Sequence, residues 1–161
     1  MNVRIIKHNG GIYTLYSKKK LNTTLEKAWE FFSQPKNLNS LTPPELDFKI
    51  NSGNSKEFYE GKIITYSISL LSFLKFNWTT EITKVKEKEY FIDKQIFGPY
   101  KLWHHEHHFQ ENEDGSLTII DKVKYKLYLH PFSKIIHKIF IKRKLLKIFN
   151  FRNKMMSKIF Y

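Results

Sequence analysis

"GPYKLWHHEHHF", residues 98–109, places four histidines and a tryptophan in positions 103–108. Successive side chains of a β-strand point to opposite faces, so a strand here sorts the rings into two sets. The odd set is Lys101, Trp103, His105, His107 and Phe109; the even set is Tyr100, Leu102, His104, Glu106, His108 and Gln110. Two large aromatics assign the odd set to the inner face, which leaves His104 and His108 outside with Glu106. The preceding stretch "YFIDKQIF" splits less decisively. If Phe91 and Phe97 look inward, Asp93 and Gln95 join the histidines.

The same alternation recurs through the middle of the chain. Ile64, Tyr66, Ile68 and Leu70 oppose Thr65, Ser67 and Ser69; Leu74, Phe76, Trp78, Thr80 and Ile82 oppose Lys75, Asn77, Thr79 and Glu81. Leu117, Ile119, Asp121, Val123, Tyr125 and Leu127 oppose Thr118, Lys122, Lys124 and Lys126. One wet and one buried face per strand predicts an antiparallel sheet. Turn signals sit at "NSGNS" (51–55), "KEKE" (86–89) and "NEDGS" (112–116).

Helical signals flank this region. "IYTLYSKKKLN" (12–22) reads as a strand, and Leu25, Ala28, Trp29 and Phe32 then follow a Thr cap at helical spacing. Pro35 stops that helix, and a second short turn closes at Pro43 and Pro44. After Pro131, Ile135, Ile139, Leu146, Phe149 and Met156 mark a long amphipathic helix or two in succession. The order predicts an α+β fold in which a curved antiparallel sheet wraps the last helix. At 161 residues the chain is expected to form one domain, 1–161.

Composition narrows the function. Hydrophobic residues make up 41% and aromatics 16%, which excludes a disordered chain. There is no cysteine, hence no disulfide, thiol nucleophile or thiolate metal site. No signal peptide or run of about 18 apolar residues is read, so the expected location is the cytoplasm. The net charge of +13 is concentrated at one end: no acidic residue follows Asp121, whereas twelve Lys and Arg do. The first 121 residues hold sixteen basic against fifteen acidic side chains. Charge alone therefore does not predict nucleic-acid binding, and no helix-turn-helix or base-stacking motif accompanies it.

The inner face is unusual for a core. Asp93, Gln95, His105, His107, Asp121 and Tyr125 fall among Trp78, Trp103, Phe109 and Val123. Buried charges without partners are costly, so these groups either satisfy one another or line a solvated, ligand-sized cavity. The cavity is the favoured expectation, with Asp121 paired to a histidine.

"FFSQPKNLNSLTPPELDFKI", "FNWTTEI", "FIDKQIFGPYKLWHHEHHF", "DKVKY" and "IFNFR" together resemble the START-like helix-grip superfamily (birch-pollen-allergen type, SRPBCC). More narrowly, the chain resembles bacterial SRPBCC proteins related to polyketide cyclase/dehydrase-like proteins. The resemblance implies a seven-stranded antiparallel sheet gripping a long C-terminal helix, with two short helices closing a hydrophobic cavity. It implies binding of a small hydrophobic or amphipathic molecule. The alternative it carries is a cofactor-free cyclase or dehydratase acting on a polyketide-like or aromatic substrate.

On the binding reading Tyr66, Trp78, Phe91, Trp103 and Phe109 form walls, and the polar groups, with Arg152 as an anchor for a carboxylate, ligand or protein, set orientation. Trp78 and Phe109 also read as ordinary aromatic core. On the catalytic reading a His–Asp pair drawn from His105, His107 and Asp121 removes a proton while Tyr125 polarises a carbonyl. His-x-His with Asp93 or Asp121 is a weak metal motif, and neither metal nor cofactor is expected. No nucleophile elbow, phosphate loop or nucleotide fingerprint supports a hydrolase, kinase or dehydrogenase. Lys138, Lys142, Lys144, Lys147, Lys154 and Lys158 read as a solvated helix face. A second reading for them is weak contact with anionic membrane surfaces, aided by Phe160 and Tyr161.

Overall fold

A computed structural model describes residues 3–71, 74–128 and 133–161 of the chain. Among the described residues eight strands form one sheet: β1 (Val3–Lys7), β2 (Ile12–Leu21), β3 (Lys49–Ser52), β4 (Ile63–Leu71), β5 (Leu74–Lys86), β6 (Tyr90–Phe97), β7 (Leu102–Glu111) and β8 (Leu117–Lys126). Their spatial order is β1-β2-β8-β7-β6-β5-β4-β3, and every neighbouring pair is antiparallel. The count is eight where seven were expected. The strands at the two edges, β1 and β3, are short and mostly exposed, so they carry no alternation to read. Part of the turn expected at 51–55 belongs to β3, with Gly53 opening the loop at φ +79°.

Register shifts at Ser69/Leu71, Thr79/Thr80 and Ile82/Lys84 bend the sheet into a trough, as bulges do. Across the second, Thr79 pairs with Phe97 but Thr80 with Gln95, so Ile96 is the extra residue. The bulge turns Phe97 out to 65% exposure, which splits it from the inward Phe91 and Asp93.

Between β2 and β3 lie α1 (Leu25–Phe32) and α2 (Leu38–Leu41). Thr24 caps α1 by accepting from the Lys27 amide, and Ala28 and Phe32 are buried beneath it. At the C-terminus come α3 (Ser133–Ile136), a π turn (His137–Ile141) and α4 (Lys142–Ile159). The Pro131 expected to precede them lies outside the described residues. The buried stripe of α4 is Leu145, Phe149, Arg152, Asn153 and Met156. Ile135 and Ile139, expected on that stripe, are 64% and 62% exposed, and Leu146 is half-buried. The π turn takes up one extra residue, which rotates what precedes it by about 100° relative to α4.

α4 lies in the trough. Leu145 and Phe149 pack with Leu15, Trp103 and Val123, while Met156 packs with Phe32, Phe109 and Ile119. Asn153 donates to the Ser17 hydroxyl at 3.1 Å, tying the helix to β2. No helix among the described residues is long and apolar enough to cross a membrane.

Candidate functional site

Strand alternation puts Trp103, His105, His107 and Phe109 on the buried face of β7, and leaves His104, Glu106 and His108 half-buried on the other. Outside, Glu106 sits 3.4 Å from His104 and 2.8 Å from His108. Inside, antiparallel register sets Asp93 of β6 opposite His105, and Asp121 of β8 opposite His107. Arg152 enters from α4. Five ionisable groups therefore meet from four elements.

Each imidazole lies between two carboxylates. His105 Nε2 is 3.0 Å from Asp121 Oδ1 and its Nδ1 is 3.5 Å from Asp93 Oδ2. His107 Nε2 is 2.7 Å from Asp93 Oδ2 and its Nδ1 is 3.3 Å from Asp121 Oδ1. The two rings overlap, with centroids 3.7 Å apart. Arg152 grips Asp121 through Nε at 3.2 Å and Nη2 at 3.1 Å, and its Nη2 lies 3.4 Å from His107 Nδ1. Asp121 is 1% exposed, His107 3% and Arg152 6%.

Such burial is tolerable because the charges compensate. Burial works to raise both carboxyls, but the facing Arg152 and histidines outweigh it, holding Asp93 low and Asp121 well below the usual carboxylate range. Burial also works against a charge on His107, yet its bonds to Asp121 and Asp93 prevail and raise its pKa. For His105 burial and the neighbouring His107 charge win, and its pKa falls. When His107 carries a proton, two carboxylates, one guanidinium and one imidazolium sum to zero. Asp93, His105 and His107 also bring one potential metal-ligating atom each within 4.8 Å of one another.

Above this cluster is a cavity of about 160 Å³. Asp93, His105, His107 and Arg152 form its polar wall. The rest is largely apolar: Tyr66, Ile68, Trp78, Phe91 and Trp103 from the sheet, Leu38 and Leu41 from α2, Phe149 from α4. Trp78 is 5% exposed, and its indole Nε1 finds no acceptor among the described residues. Burial and the nearby Asp93 charge push the Tyr66 phenol well up, so it stays protonated. A second hollow shares Leu70 and Tyr100 with the first and is edged by Ile136, Phe140 and Lys144.

Four residues expected on the cavity wall stand off it. Asp121 lies behind the histidines as their shared acceptor, not in front of them. Phe109 is fully packed against Trp29 and Phe32 at ring distances of 5.4 and 5.5 Å. Gln95 folds back on the bulged end of β6, donating to the Tyr100 carbonyl at 2.5 Å and accepting from its amide at 3.2 Å. Tyr125 points to the far end of α4's trough, where its hydroxyl meets His137 Nε2 at 2.7 Å. Phe160, expected at a membrane surface, packs on Phe31 and Phe32, whereas Tyr161 is exposed.

Sequence reasoning did not find Tyr100, the α2 leucines or His137. Tyr100 falls on the outward set of the β7 alternation but precedes the strand, so the alternation does not apply to it. His137 is an isolated histidine whose partners, Tyr13 (stacked at 3.6 Å) and Tyr125, come from distant strands.

No protein-family model matches the sequence, and no curated protein matches it either. Solved structures do match. Ginseng major latex-like protein 151 from Panax ginseng gives a TM-score of 0.67 at 12% identity, covering 94% of this chain and 99% of its own. Protein Ms6760 from Mycobacterium smegmatis gives 0.68 at 15% identity, covering 98% and 96%. Protein CV1439 from Chromobacterium violaceum gives 0.69 at 11% identity, covering 91% and 96%. At such identities the likeness establishes the fold, the helix-grip arrangement of birch-pollen-allergen-like proteins, and no more.

Proposed function

We propose that the chain binds a small amphipathic molecule in this cavity, in the cytoplasm. Its hydrocarbon part lies against Ile68, Trp78, Trp103 and the α2 leucines, and its polar end faces Asp93, His105, His107 and Arg152. The observation that carries this reading is a largely apolar hollow with one charged wall, the usual division of labour in ligand pockets.

The cyclase or dehydratase reading is weaker. Of its candidate groups only His105 and His107 reach the cavity, while Asp121 and Tyr125 would act as positioning groups at most. Contact with anionic membranes is the accompanying proposal, because exposed Ile135, Ile139 and Phe140 alternate with exposed Lys134, Lys138 and Lys142.

The test is native mass spectrometry of protein from its own host, followed by extraction of what it carries. A bound organic molecule is expected in the wild type and not in Ile68→Trp, which fills the hollow. Equal retention by that variant would exclude the cavity as the binding place.

A further inference from the structure

All four imidazole nitrogens of the buried cluster face carboxylate oxygens. His105 Nδ1 and His107 Nε2 look at Asp93 Oδ2, and His105 Nε2 and His107 Nδ1 look at Asp121 Oδ1. A neutral imidazole has one N–H and one lone pair. With both rings neutral, two lone pairs stand against anions; with one imidazolium, one still does. Arg152 can serve only His107 Nδ1, from 3.4 Å. A cation placed between His105 Nδ1, His107 Nε2 and Asp93 removes the conflict between lone pairs and carboxylates, leaving Arg152 Nη2 to donate to Asp121 alone. It takes both lone pairs, and the two remaining N–H groups donate to Asp121.

We propose that Asp93, His105 and His107 hold one first-row divalent transition-metal ion. Asp121 orients both rings through their outer N–H groups, and Arg152 holds Asp121 in turn. An imidazole ligand that donates its second N–H to a carboxylate is the ordinary support of a metal site. Here one aspartate supports two ligands.

Size and charge agree. The Asp93 Oδ2 separations from the two ligating nitrogens are 3.5 and 2.7 Å, on either side of the roughly 3.3 Å edge of a tetrahedron with bonds of about 2.0–2.1 Å. Two imidazoles and one carboxylate suit Zn²⁺, Fe²⁺, Co²⁺ or Ni²⁺ rather than Ca²⁺ or Mg²⁺. Asp93, Asp121, Arg152 and two neutral rings carry a net single negative charge, so a divalent ion leaves one positive charge. All three ligands line the cavity, so that charge faces the hollow through open coordination positions, ready for an anionic oxygen. The proposal shares the cavity with the ligand reading but stands on the side chains alone.

A rival lies on the other face of the same strand, where His104, Glu106 and His108 adjoin. The experiment titrates tag-free, chelator-stripped protein with Co²⁺ and follows its visible absorption. One equivalent is expected to bind, with His104→Ala/His108→Ala unchanged. Asp93→Asn should lose at least about 100-fold in affinity and Asp121→Asn about 10–100-fold. Should either variant misfold, the wild type still decides. Its Co²⁺ form should show paramagnetically shifted protons from two histidines whose ring N–H groups exchange slowly. Absent stoichiometric binding, or binding abolished by the outer double variant, would overturn the proposal. A missing organic ligand in native mass spectra would leave this result intact.

Discussion

Replacing Arg152 by methionine tests the central electrostatic claim. Arg152 and Asp121 are 6% and 1% exposed, and their contact is two-pronged at 3.1 and 3.2 Å. At about 4 Å between charge centres and an effective dielectric near 20, their attraction is roughly 4 kcal/mol. Desolvating each ion costs several kcal/mol, so the intact pair contributes little net stability. Removing only the guanidinium is different, because the Asp121 charge stays buried. The expected loss is about 3–5 kcal/mol, a large share of the roughly 5–15 kcal/mol available to a domain. In a chain of this size that lowers Tm by roughly 6–20 °C. Asp121→Asn should also destabilise, but Asp121→Asn/Arg152→Met should cost less than the sum by about 2 kcal/mol, since neither charge is then stranded. Urea unfolding followed by far-UV circular dichroism, near pH 7 with chelator present, measures all four corners of the cycle. A loss under about 1 kcal/mol for Arg152→Met, or strict additivity, would refute the compensated-cluster account.

His137 is held to a pKa of about 4, by burial first and then by the Lys142 and Lys7 charges. Its unfolded value is near 6.5, so the unfolded chain takes the proton first as pH falls. The contribution is therefore full above about pH 6.5 and is lost between there and pH 4, by up to about 3 kcal/mol; His137→Phe should flatten the urea midpoint in that window, and an unchanged slope would contradict it. A Cβ on Gly53 would meet the Ile63 carbonyl oxygen at 2.3 Å and Ile64 Cα at 2.9 Å, at φ +79°. Gly53→Ala should thus cost at least about 1–3 kcal/mol, read as a lowered Tm, and no change would mean that the β3–β4 approach is wrong. Sedimentation with phosphatidylserine vesicles should show binding that falls as salt rises and weakens in Ile139→Asp/Phe140→Asp. Equal binding to neutral vesicles, or by that variant, would remove the membrane surface from consideration.

Local rules already determined much of this protein. Period-two alternation separated the buried His105 and His107 from the outer His104 and His108, because a strand's faces are set by backbone geometry alone. A threonine cap, the proline stops and the amphipathic spacing likewise place α1 and α2 without any tertiary contact. Edge strands β1 and β3 escaped because half-exposed edges bury no periodic face. Tertiary structure alone decided what depends on separate segments meeting. It set Asp121 behind the imidazoles, turned Phe97 outward at a bulge, and let the π turn carry Ile135 and Ile139 off the core stripe. It also brought Arg152 across thirty-one positions of sequence to neutralise Asp121, an attraction that acts through space and leaves no mark in spacing along the chain.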